Sequence, residues 1–213
     1  MSENTKDKIV YFVRHGETVG NVNQVVQDGS YDLSDSGHHQ AARLAERLQS
    51  VSFDTLLSSS HTRALQTAQP ISELTGIAIE PADLFIEVRR PSVFVGMSRD
   101  SKEYKSFLQA EVDHYGTPTW RHSDEENTED LLQRIAEAGS ALEEREGDIL
   151  VVSHARFLRS IVLYLLAQKT YHPTFWAAAA KNFFIANTSI TTLKYQAGEW
   201  KLITFNDHAH FAE

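Results

Sequence analysis

The feature that most restricts the fold is a run of four apolar residues in the last third of the chain, Ile-Leu-Val-Val at positions 149–152. A strand with one face in water alternates apolar and polar side chains, so a continuous apolar run is typical of a parallel strand covered on both faces. Residues 9–13, Ile-Val-Tyr-Phe-Val, form a similar run. Apolar residues also recur at helical spacing around Leu44, Leu65, Ile135 and Leu158. Strands that alternate with helices predict an α/β fold, with a mainly parallel central sheet between helical layers.

The remaining elements are predicted from shorter patterns. Strands are expected over residues 53–57, 77–79, 183–187, 189–195 and 200–205, the last two joined as a hairpin across positions 196–199. Pro70 falls within the helical stripe around Leu65 and is expected to kink or locally break that helix. Residues 88–126 have the least periodic order. We therefore expect residues 1–213 to form one domain with an inserted lobe at about 88–126.

Composition excludes several classes of protein. The 213 residues contain no cysteine, which rules out disulfides, thiolate catalysis and cysteine-based metal sites. A net charge of −9 makes nucleic acid and anionic membranes unexpected partners, so an anionic substrate would need a local concentration of basic groups. The polar start of the chain and the lack of a long apolar run indicate neither secretion nor membrane insertion, which predicts a cytoplasmic location.

Polar groups follow three of the predicted strands. Arg14-His15-Gly16 follows the first, Ser153-His154 follows the run at 149–152, and Arg63 lies a few residues after the strand at 53–57. Because parallel strands finish at one edge of a sheet, where ligands bind, these groups are expected to lie together. Such polar groups are unnecessary for folding, which favours a functional site.

The chemistry of this set points to phosphate. Two guanidinium groups offer planar forks that match phosphate oxygens, and an imidazole can attack phosphorus or donate a hydrogen bond to it. Arg14 beside His15 should disfavour the imidazolium form and keep the ring nucleophilic. A metal site built from His15, His154, His208 and His210 is the competing interpretation, but the neighbouring arginines oppose a cation, so we predict no metal.

Five segments together resemble a known family, the histidine phosphatase superfamily or phosphoglycerate-mutase-like group. They are Arg14-His15-Gly16-Glu17-Thr18 with Asn21, Leu33-Ser34-x-x-Gly37, Ser58-Ser59-x-x-x-Arg63-Ala64, Val152-Ser153-His154 and Asn187-x-Ser189. The resemblance covers nearly the whole chain in the expected order. It implies a three-layer α/β/α sandwich of the phosphoglycerate-mutase-like type, and metal-independent chemistry without a cofactor.

The resemblance also implies roles for individual residues. His15 would be the nucleophile that becomes a phosphohistidine, and His154 would act beside it. Arg14, Arg63, Asn21 and Gly16 would bind the phosphoryl group. The general acid would be Glu87, with Asp83 as a rival nearby. The chain departs from the family pattern at positions 88–92, Val-Arg-Arg-Pro-Ser, and at position 155, where alanine replaces a common glycine.

The expected function is that of a phosphoric monoester hydrolase acting on a small phosphorylated metabolite, with inorganic phosphate as a further ligand. A cofactor-dependent mutase of the phosphoglycerate type is the nearest alternative, and an inactive phospho-ligand-binding scaffold is a third. The pattern leaves the oligomeric state open. It also leaves open whether a group of arginines contacts a second anion of the substrate or forms a solvated basic face; these are Arg89, Arg90, Arg99 and Arg121.

Overall fold

The computed structural model describes residues 7–211, without the side chains at positions 177, 180 and 181. Its sheet contains strands in the order β3-β2-β4-β1-β5-β6. β1, β2, β3 and β4 pair in parallel, and β5 and β6 are antiparallel additions at one edge. The strands are β1 Lys8–Arg14, β2 Thr55–Ser58, β3 Ile79–Pro81, β4 Ile149–Ser153, β5 Ile190–Gln196 and β6 Glu199–Asp207.

Helices cover both faces of this sheet. They are α1 Val19–Val22, α2 Asp35–Leu48, α3 Thr62–Thr75, α4 Lys102–Asp113, α5 Thr128–Glu144, α6 Ala155–Leu166 and α7 Pro173–Asn182. Successive residues of β4 show the layering directly. Leu150 packs with Leu44 of α2 on one face, whereas Val151 packs with Ile135 of α5 on the other. The predicted α/β/α sandwich and the mainly parallel sheet are therefore confirmed.

The predicted hairpin is confirmed, whereas the predicted break at Pro70 is not. The hairpin between β5 and β6 turns through Ala197 and Gly198, whose φ angles of 53° and 83° suit a tight turn of this kind. Ser34 caps the start of α2, because Ser34 Oγ accepts a hydrogen bond from the Gly37 N–H. Pro70 lies inside α3 without ending it, so a local break of that helix is wrong, and a kink at Pro70 stays a prediction.

Three helices were not predicted, α1, α4 and α7, and one predicted strand is absent. Residues 183–187 carry no strand and connect α7 to β5. Thr188 has a φ of 53°, a left-handed turn that extended pairing cannot pass through, so β5 starts only at Ile190. α7 starts with Pro173, a residue favoured in the first turn of a helix. α4 lies in the segment whose periodicity was weakest, residues 88–126.

The segment 88–126 carries a small apolar cluster of its own. Phe94, Tyr104 and Phe107 pack together with Val26, which comes from the loop after β1. The cluster therefore ties the segment to the loop that follows His15. The single-domain assignment and the limits of the lobe stay predictions. Among residues 7–211, no helix is both long enough and apolar enough to cross a membrane.

Candidate active site

Three parallel strand ends bring the predicted polar groups together. In the order β2-β4-β1, β1 ends at Arg14 just before His15, and β4 ends at Ser153 just before His154. Arg63 lies in the first turn of α3, after β2. The ring centroids of His15 and His154 are 5.0 Å apart, although 139 positions separate them in the sequence. The register of the sheet thus places both imidazoles at one edge.

A cavity of about 300 Å³ opens at this edge. Its inner part is lined by Arg14, His15 and Arg63, and Glu87 and Asn21 lie on its wall. Segment 88–126 and the start of α6 supply much of the remaining lining, which includes Val88, Arg90, Arg99, Tyr104, Leu108, Ala155 and Arg156. The cavity therefore has a strand-end side and a lobe side.

His15 is held in one tautomer. Its Nδ1 lies 2.6 Å from the Gly16 carbonyl oxygen, which can only accept a hydrogen bond, so Nδ1 carries the proton and Nε2 carries the lone pair. Only 4% of His15 is exposed. Burial lowers the pKa of His15 well below its ordinary 6.5, and the charges of Arg63 and Arg14 lower it further. His15 is therefore a neutral imidazole at neutral pH, with Nε2 as a potential nucleophile.

His154 is positioned by Ser59, a residue of one of the five segments that was given no role from the sequence. His154 Nε2 is 2.7 Å from Ser59 Oγ, and that hydroxyl also accepts from the His61 N–H at 3.2 Å. When Ser59 donates its own proton to Nε2, the His154 proton resides on Nδ1. Nδ1 is buried and has no partner among the described residues. In that tautomer Nδ1 is a donor that the described part of the chain leaves unused, on a ring whose pKa burial lowers well below 6.5.

The two arginines are anchored through part of their guanidinium groups. Arg14 Nη1 donates to the Ile185 carbonyl at 2.6 Å, and its buried Nε has no partner within residues 7–211. Arg63 Nη1 donates to the Asp28 carbonyl at 2.6 Å, and its Nη2 lies 3.2 Å from His61 Nδ1. Burial lowers the pKa of each arginine to about 10, so both remain cations at neutral pH. Their other N–H groups are available to an anion.

The structure separates the two candidate acids. Glu87 lines the cavity that holds His15, whereas Asp83 accepts a hydrogen bond from Ser60 and lines a different groove. Glu87 Oε1 accepts the Val88 and Phe157 N–H groups at 2.9 and 3.0 Å. Glu87 Oε2 accepts only a longer bond of 3.3 Å, from the Arg156 N–H. The position of Glu87 fits a proton donor to a substrate in the cavity, and that of Asp83 does not.

Asn21 and Gly16 have structural contacts of their own. Asn21 Oδ1 accepts the Thr18 N–H at 3.2 Å within the cap of α1. The Gly16 N–H donates to Thr67 Oγ1 at 3.0 Å, so it is already used within the protein. A Cβ on Gly16 would lie 2.7 Å from the Gly37 carbonyl oxygen, which explains the glycine by packing. Phosphate binding by these two residues stays a prediction.

Three further residues belong to the site. His61 contacts both the ring of His154, with centroids 4.9 Å apart, and the guanidinium of Arg63. Burial, followed by the charge of Arg63, lowers the pKa of His61 to about 4. Ser59 holds His154, and Arg156 lines the cavity. His61 stands two positions before the predicted Arg63, and Arg156 two after His154, so their closeness to predicted residues was the available signal.

Several known proteins resemble this chain in sequence or in fold. "Probable phosphoglycerate mutase GpmB" of Klebsiella pneumoniae is 30% identical over 196 residues, covering 90% of this chain and 86% of the relative. Phosphoserine phosphatase of Entamoeba histolytica superposes with a TM-score of 0.75 at 25% identity, covering 96% and 99% of the two chains. A mycobacterial glucosyl-3-phosphoglycerate phosphatase shares the fold with a TM-score of 0.77 at 23% identity, covering 94% and 99%.

A family model also matches most of the chain. The model of the histidine phosphatase superfamily, branch 1, matches residues 10–208. This span contains every residue placed at the cavity above. The chain therefore belongs to the histidine phosphatase superfamily.

Proposed function

We propose that this chain is a metal-independent phosphatase that hydrolyses phosphomonoesters of small metabolites through a phosphohistidine on His15. The observation that carries the proposal is the tautomer of His15. Its Nδ1 proton is held by the Gly16 carbonyl, which leaves the Nε2 lone pair for attack in a cavity lined by Arg14 and Arg63. A nucleophile next to two cations is suited to a phosphoryl group, whose charge grows on its oxygens during transfer.

In the first step, His15 Nε2 forms a bond to phosphorus while the bond from phosphorus to the ester oxygen breaks. The N–H groups of Arg14, Arg63 and His154 Nδ1 stabilise the phosphoryl oxygens. Glu87 gives its proton to the departing ester oxygen. Since Oε1 already accepts two backbone N–H groups, Oε2 is the atom that would carry that proton.

In the second step, water attacks phosphorus and the bond from phosphorus to Nε2 breaks. Glu87 takes the proton of the attacking water, which returns it to the acid form for the next cycle. His15 recovers its lone pair, and inorganic phosphate leaves.

The test is turnover of p-nitrophenyl phosphate in the presence of a chelator. Wild type should release phosphate. The turnover rate of His15→Ala should be lower by about a thousandfold or more, because the attacking atom is removed. His38→Ala is the matched control, since His38 is an exposed histidine of α2 and should leave turnover unchanged. Turnover that survives in His15→Ala contradicts the mechanism, and no turnover of any phosphate ester favours the scaffold alternative.

A mutase is the second candidate, because curated relatives carry the name of a phosphoglycerate mutase. A mutase must keep the phosphoryl group on histidine and return it to a substrate, whereas a phosphatase transfers it to water. Labelled phosphoenzyme, formed from a radioactive ester and mixed with phosphoglycerate, separates the two. Release of the label as inorganic phosphate supports the phosphatase, and its appearance in bisphosphoglycerate supports the mutase.

A further inference from the structure

His61 occupies the N-cap position of α3 but does not cap that helix. A residue at this position usually accepts a hydrogen bond from the first turn through a short side chain, such as that of serine or aspartate. The His61 side chain makes no such bond in the part of the chain that the structure describes. It contacts the guanidinium of Arg63 instead, where Nδ1 lies 3.2 Å from Arg63 Nη2. The imidazole therefore has a task other than capping.

The contact with Arg63 fixes the tautomer of His61. A guanidinium can only donate hydrogen bonds, so Nδ1 of His61 accepts and the ring proton resides on Nε2. Burial, and then the charge of Arg63, lower the pKa of His61 to about 4, so the ring is neutral at neutral pH. His61 is therefore a neutral acceptor for a buried cation.

Neutral groups hold Arg63 at both ends of its fork. Nη1 donates to the backbone carbonyl of Asp28 at 2.6 Å, and Nη2 donates to His61 Nδ1. Arg63 takes part in no ion pair within residues 7–211. Its direction is therefore set without a carboxylate.

Two arginines on the lobe side of the cavity are held by a carboxylate. Glu111 Oε1 accepts hydrogen bonds from Arg90 Nη1 at 2.8 Å and from Arg156 Nη2 at 2.9 Å. A carboxylate orients a guanidinium and also offsets its charge, whereas a neutral acceptor orients it and leaves the charge in place. A cation that stabilises a phosphoryl group needs both its direction and its charge. The neutral anchors of Arg63 meet that requirement.

The ring of His61 is itself fixed by packing. A Cβ on Gly29 would lie 2.8 Å from His61 Cδ2 and 3.1 Å from Nε2, so the glycine backbone packs against the ring. The ring of His154 makes an edge contact with it, with centroids 4.9 Å apart. The Ser59 hydroxyl that pairs with His154 Nε2 also accepts the His61 N–H. His61 therefore links Arg63 to His154, two groups proposed to stabilise the phosphoryl oxygens.

We infer that His61 is a positioning residue that directs the guanidinium of Arg63 towards the phosphoryl group without offsetting its charge. This inference rests on the proposed function, in which Arg63 stabilises the phosphoryl oxygens. In this role the imidazole acts through Arg63 and does not itself contact the substrate.

Three substitutions at position 61 separate the direction of Arg63 from its charge. His61→Asn keeps an acceptor in the place of Nδ1, His61→Leu has the shape of asparagine without an acceptor, and His61→Asp supplies a charged acceptor. The dissociation constant of vanadate should stay within about threefold of wild type in His61→Asn and rise about tenfold or more in His61→Leu, because a hydrogen bond to a charged group is lost. It should rise about tenfold in His61→Asp as well, since the carboxylate offsets the charge of Arg63. Isothermal calorimetry measures these constants.

Stability separates positioning from a merely structural role. Aspartate is a favoured N-cap and suits the positive end of α3, so His61→Asp should unfold at the same or a higher urea concentration than wild type while it binds vanadate more weakly. His38→Leu, at an exposed histidine of α2, is the control and should leave vanadate affinity unchanged. Vanadate affinity that follows stability across the three variants overturns the inference. Equal affinities in His61→Asn and His61→Leu also overturn it.

Nitrogen NMR gives a readout that does not depend on turnover. The signals of the His61 ring, assigned by their loss in His61→Asn, should show the proton on Nε2. A proton on Nδ1 overturns the inference even in an active enzyme. If wild type hydrolyses no ester but the vanadate series is as expected, the proposed function fails and the positioning role stands. Wild-type vanadate affinity in His61→Leu, with p-nitrophenyl phosphate turned over, overturns the positioning role alone.

Discussion

The strand-end side and the lobe side of the cavity are built by different means. On the strand-end side, His15, Arg63 and His154 are each at most 4% exposed and are held by backbone or buried side-chain hydrogen bonds. On the lobe side, Arg99 and Arg156 are reached by solvent and are held by few contacts. The rigid side is suited to the chemical step, which needs fixed geometry, and the open side to selection of the leaving group.

After the loss of His15 itself, the largest effect is expected where the two sides meet, at Glu87. Glu87→Gln keeps an acceptor for the Phe157 N–H but has no proton to give. The kcat of Glu87→Gln for alkyl phosphates, whose leaving groups need a proton, should fall about a hundredfold or more. Its kcat for p-nitrophenyl phosphate should fall much less. Steady-state rates on both ester types measure this. Equal losses would assign the acid to another residue, and Asp83→Asn is the matched comparison.

Arg63→Ala should weaken the binding of a phosphoryl analogue on the strand-end side of the cavity. Removing a buried cation that can hold two phosphoryl oxygens should raise the dissociation constant of vanadate about a hundredfold. Isothermal calorimetry measures it, with Arg43→Ala as control, because Arg43 is an exposed residue of α2. Unchanged vanadate affinity in Arg63→Ala would place the phosphoryl site elsewhere.

A methyl group added on each side tests the difference in rigidity. Gly16→Ala places a Cβ 2.7 Å from the Gly37 carbonyl oxygen, so it should lower the free energy of unfolding by about 1–3 kcal/mol. Gly116→Ala, in the lobe segment, meets no atom within 4 Å and should change it by about 0.5 kcal/mol or less. Urea denaturation compares the two. Similar losses would show that the lobe is as tightly constrained as the strand ends.

The buried histidines of the strand-end side also predict a pH dependence of stability. The pKa values of His15 and His154 lie well below 6.5 in the folded protein, so the unfolded chain takes up protons first as the pH falls. Above pH 6.5 the two histidines contribute nothing to the pH dependence of stability. Below pH 6.5 each histidine should lower the free energy of unfolding by about 1.4 kcal/mol per pH unit.

Denaturation of wild type and His15→Ala between pH 7 and pH 5 isolates one of these groups. The variant should show the shallower slope, and equal slopes would contradict the lowered pKa of His15. The acid limb of kcat/KM should also lie below the ordinary imidazole pKa of 6.5, since the nucleophile stays neutral there.

The strand-end side of the cavity could be predicted from the sequence better than the lobe side. His15, His154 and Arg63 were predictable because each follows an apolar run, and parallel strands bring their ends to one edge. α4 was missed, although Tyr104, Phe107 and Leu108 have helical spacing, because the surrounding prolines and arginines masked so short a stripe. The contact of Glu111 with Arg156 had no sequence signal, because 45 positions separate the two residues.

The sequence by itself determined the α/β class, the layer order and the strand ends that carry the polar groups. These follow from hydrophobic periodicity, which is local along the chain. Only the tertiary structure decided the tautomer of His15, which of Glu87 and Asp83 lines the cavity, and which arginines share it. Those depend on hydrogen bonds and packing between distant segments, such as His154 with Ser59 and Arg63 with Asp28, which periodicity does not encode.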